Sequence, residues 1–366
     1  MPEHTKHHAS PPKGTSIRET TIGALNIRAL YMWPVWIIAL ATPGKSFVGN
    51  PVIGSRLLNT LGLHILRVLI ARLVTWFRWL LLTPIANRKT RQSLHRDGYV
   101  VLSDFLSPTQ VAAIRAEIKA HRGETRQMLQ GNTATQRILL DSVALTNKRH
   151  LAALCQSKRF LRPLKYASAK LSPPLLYVQR IRNGIREAGA DPQKTMHADT
   201  FHPTMKAWLF LEDVTPEKGP FTYVKGSHKL TLARLRWEYT RSRSAARNHD
   251  GYSEKGSFRA SADDLNAMNL PEPAGVCVKA GTLVIANTNG FHGRGQAEEN
   301  QSRLEVWAYA RPSPFNPLPG LPFGFIGAVQ SAILKAFWRR KDRSAAARNS
   351  RASWHLIDSR EMTDFE

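Results

Sequence analysis

His197-Ala198-Asp199-Thr200-Phe201 sets an imidazole and a carboxylate two positions apart. A second imidazole, His292, returns much later, and Arg303 lies beyond it on what reads as the next strand. Two imidazoles and one carboxylate can cap one face of an octahedral metal and leave the other positions open, which is the ligand set of non-haem Fe(II) oxygenases. A His-x-Asp pair at a strand end brings both donors to one point, and the distant histidine can return to it from another strand of the same barrel. The arginine offers a planar fork for a second carboxylate, such as the far end of 2-oxoglutarate. A lone His-x-Asp fits an ordinary loop equally well, so its surroundings decide.

Those surroundings read as strands and turns. Residues 207–211 form an apolar strand. Gly219-Pro220 turns into a strand over 221–224, and Gly226-Ser227-His228 is a second turn. Residues 281–286 are a buried strand running into Asn289-Gly290, a hairpin signal, and 304–309 alternate as the next strand. With Asp97-Gly98-Tyr99-Val100-Val101-Leu102 and the helix start at Leu106-Ser107, these stretches resemble the phytanoyl-CoA dioxygenase family of Fe(II)/2-oxoglutarate oxygenases over residues 92–312. The resemblance implies an α+β chain with a mainly β core, a double-stranded β-helix (jelly-roll, cupin-like) buttressed by helices. It implies His197, Asp199 and His292 as iron ligands and catalytic residues, with Arg303 on the distal carboxylate of 2-oxoglutarate and Trp208 lining the co-substrate pocket. Iron(II), 2-oxoglutarate and O2 are the implied cofactors. Relatives that halogenate lack the carboxylate, so Asp199 points to hydroxylation. Two departures are Lys225, where proline is usual, and an insertion between Arg234 and Leu270. Tyr177, Gln179 and Arg180, on a strand ahead of the metal pair, are candidates to face the pocket, Tyr177 beside the co-substrate; simple alternation between core and solvent is the competing account.

Lys and Arg total 52 against 27 Asp and Glu, a formal net charge of +25. Such a field gathers anionic partners: nucleic acid, anionic lipid head groups or acidic sugars. Cys155 and Cys277 make no disulfide framework and no metal-ligand spacing, and burial as small apolar residues is expected of both.

The flanks carry a different pattern. Residues 1–28 read as a flexible tail, 29–91 as an amphipathic membrane-associating segment, 313–343 as a second such segment, and 344–366 as a basic, polar tail. Arg56, Arg67 and Arg78 recur every eleven positions on one stripe of an otherwise apolar helical stretch, with a hinge at Gly62. An in-plane helix is expected, with its apolar face in the acyl boundary and the guanidinium groups among phosphates. Phe325, Val329, Ile333 and Phe337 repeat the theme before Arg339, Arg340, Lys341 and Arg343. A cytoplasmic protein lying monotopically on the inner membrane face follows as the expectation. Its substrate is then an anionic lipid or sugar; the flanks and charge suggest a Kdo hydroxylase, acting on the acidic sugar of a lipopolysaccharide precursor. An acyl-CoA or other small molecule is the alternative. A nucleic-acid oxygenase and a non-catalytic adaptor are weaker readings, the first because it leaves the apolar flanks unexplained.

Overall fold

Strand residues that are apolar on both sides build the centre of this molecule, because both faces of its main sheet are covered. The computed structural model describes residues 27–185, 189 and 191–365. In chain order the N-terminal flank holds α1 (Ile27–Ile38), α2 (Arg56–Thr60), α3 (Leu63–Leu81) and α4 (Arg88–Asp97). Then come β1 (Tyr99–Leu102), α5 (Pro108–Lys119), β2 (Thr125–Gln130), β3 (Thr133–Leu139), α6 (Arg149–Gln156), α7 (Lys158–Ala167) and β4 (Leu175–Arg182). Next are β5 (Met205–Phe210), β6 (Phe221–Tyr223), α8 (Leu232–Ser244), α9 (Ala262–Ala267), β7 (Ala274–Val276), β8 (Leu283–Asn287), β9 (His292–Arg294) and β10 (Ser302–Ala310). The chain closes with α10 (Gly324–Ala346), β11 (His355–Ile357) and α11 (Arg360–Thr363).

The major sheet has the order β1-β8-β5-β10-β4-β3-β2-β11, and the minor sheet β7-β6-β9; every pairing is antiparallel. His197 extends the minor sheet through a bridge to His292. The two sheets face each other as the expected jelly-roll. Trp208, Phe210, Tyr177 and Trp307 point into it and meet Phe221, Tyr223 and Val276 of the minor sheet. Leu209, Val178, Val306 and Ile285 point outward onto α5, α6 and α7 through Ile114, Ile118, Leu151 and Phe160. Period-two alternation thus feeds two apolar layers, and removing both from water is the main drive for this architecture. Ser107 caps α5 in a full capping box with Gln110.

The flanks depart from expectation in one instructive way. Gly62, with φ at +96°, separates α2 from α3 as the hinge reading required. The arginine stripe, however, faces the protein. Arg67 and Arg78 are 4% and 2% exposed. Arg67 donates to the carbonyls of Leu40 and Gly44, and Arg78 to those of Ser313 and Asn316. Arg56 alone of the three is exposed. The outward face of α3 is instead apolar, with Leu73 64% and Trp76 53% exposed. Guanidinium groups among lipid phosphates are therefore ruled out for Arg67 and Arg78: backbone carbonyls left open by the irregular 40–44 and 313–316 segments claim them first. Among the described residues no helix is long and apolar enough to cross a membrane.

Three smaller expectations are also corrected. The expected tail over 344–366 is packed: β11 pairs with β2, and Met362 and Phe365 are buried. Residues 1–26 of the expected N-terminal tail lie outside the described residues, and 27–28 belong to α1. The insertion opens on helix α8, where Arg234 is buried against Glu238 at 2.9 Å. Cys155 is partly buried but Cys277 is exposed.

Candidate active site

His197, Asp199 and His292 converge. One ligand atom from each lies within 4.8 Å of the others. The Asp199 Oδ1 atom is 3.8 Å from His197 Nε2 and 3.6 Å from His292 Nε2. The backbone sets this up: His197 and His292 exchange both of their main-chain hydrogen bonds. His197 Nδ1 meets the carbonyl of Thr195 at 2.8 Å, and His292 Nδ1 that of Gly290 at 3.0 Å. A carbonyl can only accept, so both Nδ1 atoms carry the proton and both Nε2 lone pairs face the shared point. Gly290 is required there, because a Cβ would overlap the Tyr223 hydroxyl. Burial holds His197 well below the ordinary histidine range, and His292 beside it adds to the effect. Burial works to raise Asp199, yet Lys206 and the two imidazoles hold it well below the usual carboxylate range. Two imidazole Nε2 lone pairs and an ionised carboxylate turned to one point are the donor set a divalent cation needs. The residues fit the metal.

The site lies in a cavity of about 560 Å³. Trp208 and Tyr177 line it as expected, and so does Gln179. Arg180 does not; it points outward to the carbonyls of Met362 and Asp364. Arg303 lines the cavity, on β10 one strand from β5, with its Nη1 on the carbonyl of Gly219 and its Nε 3.2 Å from Glu305. His228, of the Gly-Ser-His turn, stays out of the site: its Nε2 meets the carbonyl of His95 at 3.1 Å, and burial pulls it down to about 3.

Several residues of the cavity carry no motif. Lys206 places its ammonium 2.8 Å from Asp199 and 3.5 Å from His292 Nε2. It stands two positions before Trp208 on β5 and so shares its face, which is the signal that could have found it. Lys45, Arg137, Arg259, Arg294 and Arg311 also line the cavity, where Asp199 is the one lining carboxylate among the described residues. Asp191 stands behind Arg294 at 2.5 Å, and Glu305 behind Arg303. Leu334, Phe337 and Trp338 of α10 and Trp354 before β11 complete the wall. The pocket therefore draws on residues beyond the 92–312 segment assigned to catalysis.

A sequence model of the family described as phytanoyl-CoA dioxygenase (PhyH) matches residues 94–304, more than half of the chain. The ectoine dioxygenases of Bordetella parapertussis and Bordetella bronchiseptica are each 25% identical over 239 residues, covering 60% of this chain and 71% of theirs. Among solved structures, the non-heme alpha ketoglutarate dependent carbocyclase SnoK from nogalamycin biosynthesis is 20% identical with a TM-score of 0.42, covering 65% of this chain and 96% of its own. HygX from Streptomyces hygroscopicus, with nickel and 2-oxoglutarate bound, is 21% identical with a TM-score of 0.38, covering 62% of this chain and 87% of its own. The family match and the converging ligand set agree: the chain belongs to the phytanoyl-CoA dioxygenase family and is an Fe(II)/2-oxoglutarate-dependent dioxygenase.

Proposed function

We propose that this dioxygenase hydroxylates an anionic, lipid-linked substrate at the cytoplasmic face of the inner membrane, and that the substrate is the Kdo sugar of a lipopolysaccharide precursor. The observation that carries the reading is the cavity's charge: among the described residues Lys45, Arg137, Lys206, Arg259, Arg294, Arg303 and Arg311 surround one lining carboxylate. Iron and 2-oxoglutarate, when bound, supply the activation of dioxygen that puts one oxygen atom into a substrate C–H bond. His197, Asp199 and His292 would hold the iron, their tautomers fixed by the carbonyls of Thr195 and Gly290. Arg303 would take the distal carboxylate of 2-oxoglutarate, and Trp208 and Phe221, with ring centroids 4.2 Å apart, would keep water from it. The iron and the two carboxylates of 2-oxoglutarate cancel in charge, so a cationic excess stays for the substrate.

The flanks support the membrane part. Leu66, Leu69, Leu73, Trp76, Phe77 and Leu80 are exposed on α3, and Phe325, Val329, Ile333 and Phe337 on α10. Phe337 belongs to both surfaces, since it also lines the cavity. Exposed Arg88, Lys89, Arg96, Arg339, Arg340, Lys341 and Arg343 suit an anionic leaflet. A small-molecule substrate is the second reading, supported by relatives named ectoine dioxygenase; an acyl-CoA belongs to the same arm. The test incubates the iron-loaded enzyme with 2-oxoglutarate, air and Kdo-bearing lipid A precursor, ectoine or an acyl-CoA, with mass spectrometry of each product. A gain of one oxygen atom on the Kdo lipid alone is expected. Oxygen gained on ectoine or the acyl-CoA, and none on the lipid, retires the proposal.

A further inference from the structure

Two arginines sit directly across from each other on β2 and β3, Arg126 and Arg137. Arg126 is fully neutralised. Its Nε donates to Glu124 at 2.7 Å, its Nη2 to Asp342 at 2.8 Å, and its Nη1 to the carbonyl of Trp354 at 3.0 Å. Among the described residues Arg137 has a single hydrogen bond, from its Nε to Gln179 Oε1 at 2.7 Å. Gln179 Nε2 in turn donates a hydrogen bond to Glu305 Oε1, and Glu305 is already the counter-ion of Arg303. The relay fixes the direction of the Arg137 guanidinium and leaves it no carboxylate in ion-pair range among the described residues.

Aromatic rings take the place of a counter-ion. The Arg137 guanidinium carbon is 3.9 Å from the ring centre of Trp307, 4.6 Å from Trp354 and 5.3 Å from Tyr177. Rings stabilise the cation through its face and cannot satisfy the N–H groups at its edge. Those edge groups belong to a residue that lines the cavity. Burial draws Arg137 down to about 10, so it stays charged at neutral pH. A charged, oriented fork without a partner in a partly desolvated site is a receptor for a planar anion.

We infer that Arg137 anchors the carboxylate of the organic substrate, separately from the 2-oxoglutarate carboxylate assigned to Arg303, with Trp354 beside it as the wall against which the substrate's ring lies. The inference rests on the acidic-sugar reading above and adds the residue that would select the acid. Trp354 reaches this place only because β11 pairs with β2 and Arg126 holds its carbonyl. The C-terminal segment thereby becomes a specificity element.

The test uses the full-length protein loaded with Mn(II) and 2-oxoglutarate under argon, titrated with free Kdo and with Kdo methyl ester in a calorimeter. Wild type is expected to bind the acid about 30-fold more tightly than the ester, the worth of a charge-assisted pair. Arg137→Gln should bind the two nearly alike and keep its affinity for 2-oxoglutarate, with Arg137→Lys in between. An undiminished preference for the acid in Arg137→Gln overturns the inference, as does a loss of 2-oxoglutarate affinity matching that of Arg303→Ala. Should neither Kdo compound bind wild type, the sugar named above is wrong, and glucuronate with inorganic phosphate decides the anchor through tryptophan fluorescence. A response in wild type that Arg137→Gln loses sustains it; no response, or an equal one in both proteins, ends it. Should Arg137→Gln fail to melt cooperatively, Arg137→Lys carries the same comparison.

Discussion

Arg78 and Arg137 are both withdrawn from bulk water, and their surroundings differ in kind. Arg78, on the inward stripe of α3, spends its guanidinium on the carbonyls of Ser313 and Asn316 and ties one flank of the chain to the other. Arg137, inside the jelly-roll, has rings against its face and the cavity at its edge. A buried charge with protein partners holds structure; one whose partners are missing waits for a ligand. The same division runs through the whole molecule. At the flanks polar groups are satisfied inside while apolar side chains face out. In the barrel apolar side chains pack between the sheets and the helices while polar groups line the cavity.

The largest effect expected on the barrel side is at the metal. Asp199→Ala and His292→Ala should each lose turnover to background, measured as succinate formed from 2-oxoglutarate, with little change in melting temperature. Substantial hydroxylation by either variant would remove the ligand assignment. On the flank side the counterpart is Glu238, buried on α8 between Arg234 at 2.9 Å and His64 of α3 at 2.8 Å. Glu238→Gln leaves the buried Arg234 without its counter-charge and should cost on the order of 3 kcal/mol of stability, read by urea unfolding. Burial would raise the Glu238 carboxyl, but Arg234 and His64 hold it below its ordinary 4.5. A depressed folded value means the contribution is complete above pH 4.5 and disappears as pH falls below it. Wild type should therefore lose stability faster than Glu238→Gln on acidification through that window; parallel curves would show that the pair does not form.

Arg303 stands between the two kinds, since it bonds the Gly219 carbonyl and still lines the cavity. Arg303→Ala should raise the KM for 2-oxoglutarate about 50-fold, from the lost charged hydrogen bonds. It also removes the largest of the groups that oppose the rise burial imposes on the Glu305 carboxyl. An unchanged KM would move the 2-oxoglutarate role to another of the cavity's cations. Arg78→Met, by contrast, should lower stability by about 2 kcal/mol by orphaning two carbonyls, and leave every KM where it was. A changed KM with unchanged stability would invert the comparison.

These contrasts mark what the amino-acid order could disclose. The convergence of His197, Asp199 and His292 was legible because metal chemistry restricts residue types and the strands around them are short and apolar. Gly62 and the Ser107 cap were legible because both are local. The direction of α3 was not: a helical period defines two faces and is silent on which one the rest of the chain will cover. The stripe of Arg56, Arg67 and Arg78 reads as phosphate-facing until the carbonyls of residues 40–44 and 313–316 are placed beside Arg67 and Arg78. Arg137 and Trp354 were beyond reach for a related reason. Their meeting depends on the register of β11, β2, β3 and β4, four strands drawn from both ends of the chain.

The smallest effect bears most directly on where the enzyme works. Helix α5 buries Ile114 and Ile118 against the sheet, whereas α3 turns Leu73 and Trp76 outward. Ile114→Gln should destabilise the protein by about 3 kcal/mol, the lost transfer energy plus the cost of a polar group in the core. Leu73→Gln with Trp76→Gln should change stability in water by no more than about 0.5 kcal/mol, as exposed positions do. On vesicles containing anionic lipid the same pair should weaken binding about 30-fold, because each side chain forfeits roughly 1 kcal/mol of apolar burial in the acyl boundary. Flotation of the two proteins with such vesicles reads the second number, and thermal melting reads the first. If the α3 variant melts early, as the α5 variant does, then something other than lipid covers that face, a second copy of the chain being the first candidate to weigh by sedimentation. If it melts normally and still floats with the vesicles, the outward apolar face is incidental, and the anionic substrate must reach the cavity from solution.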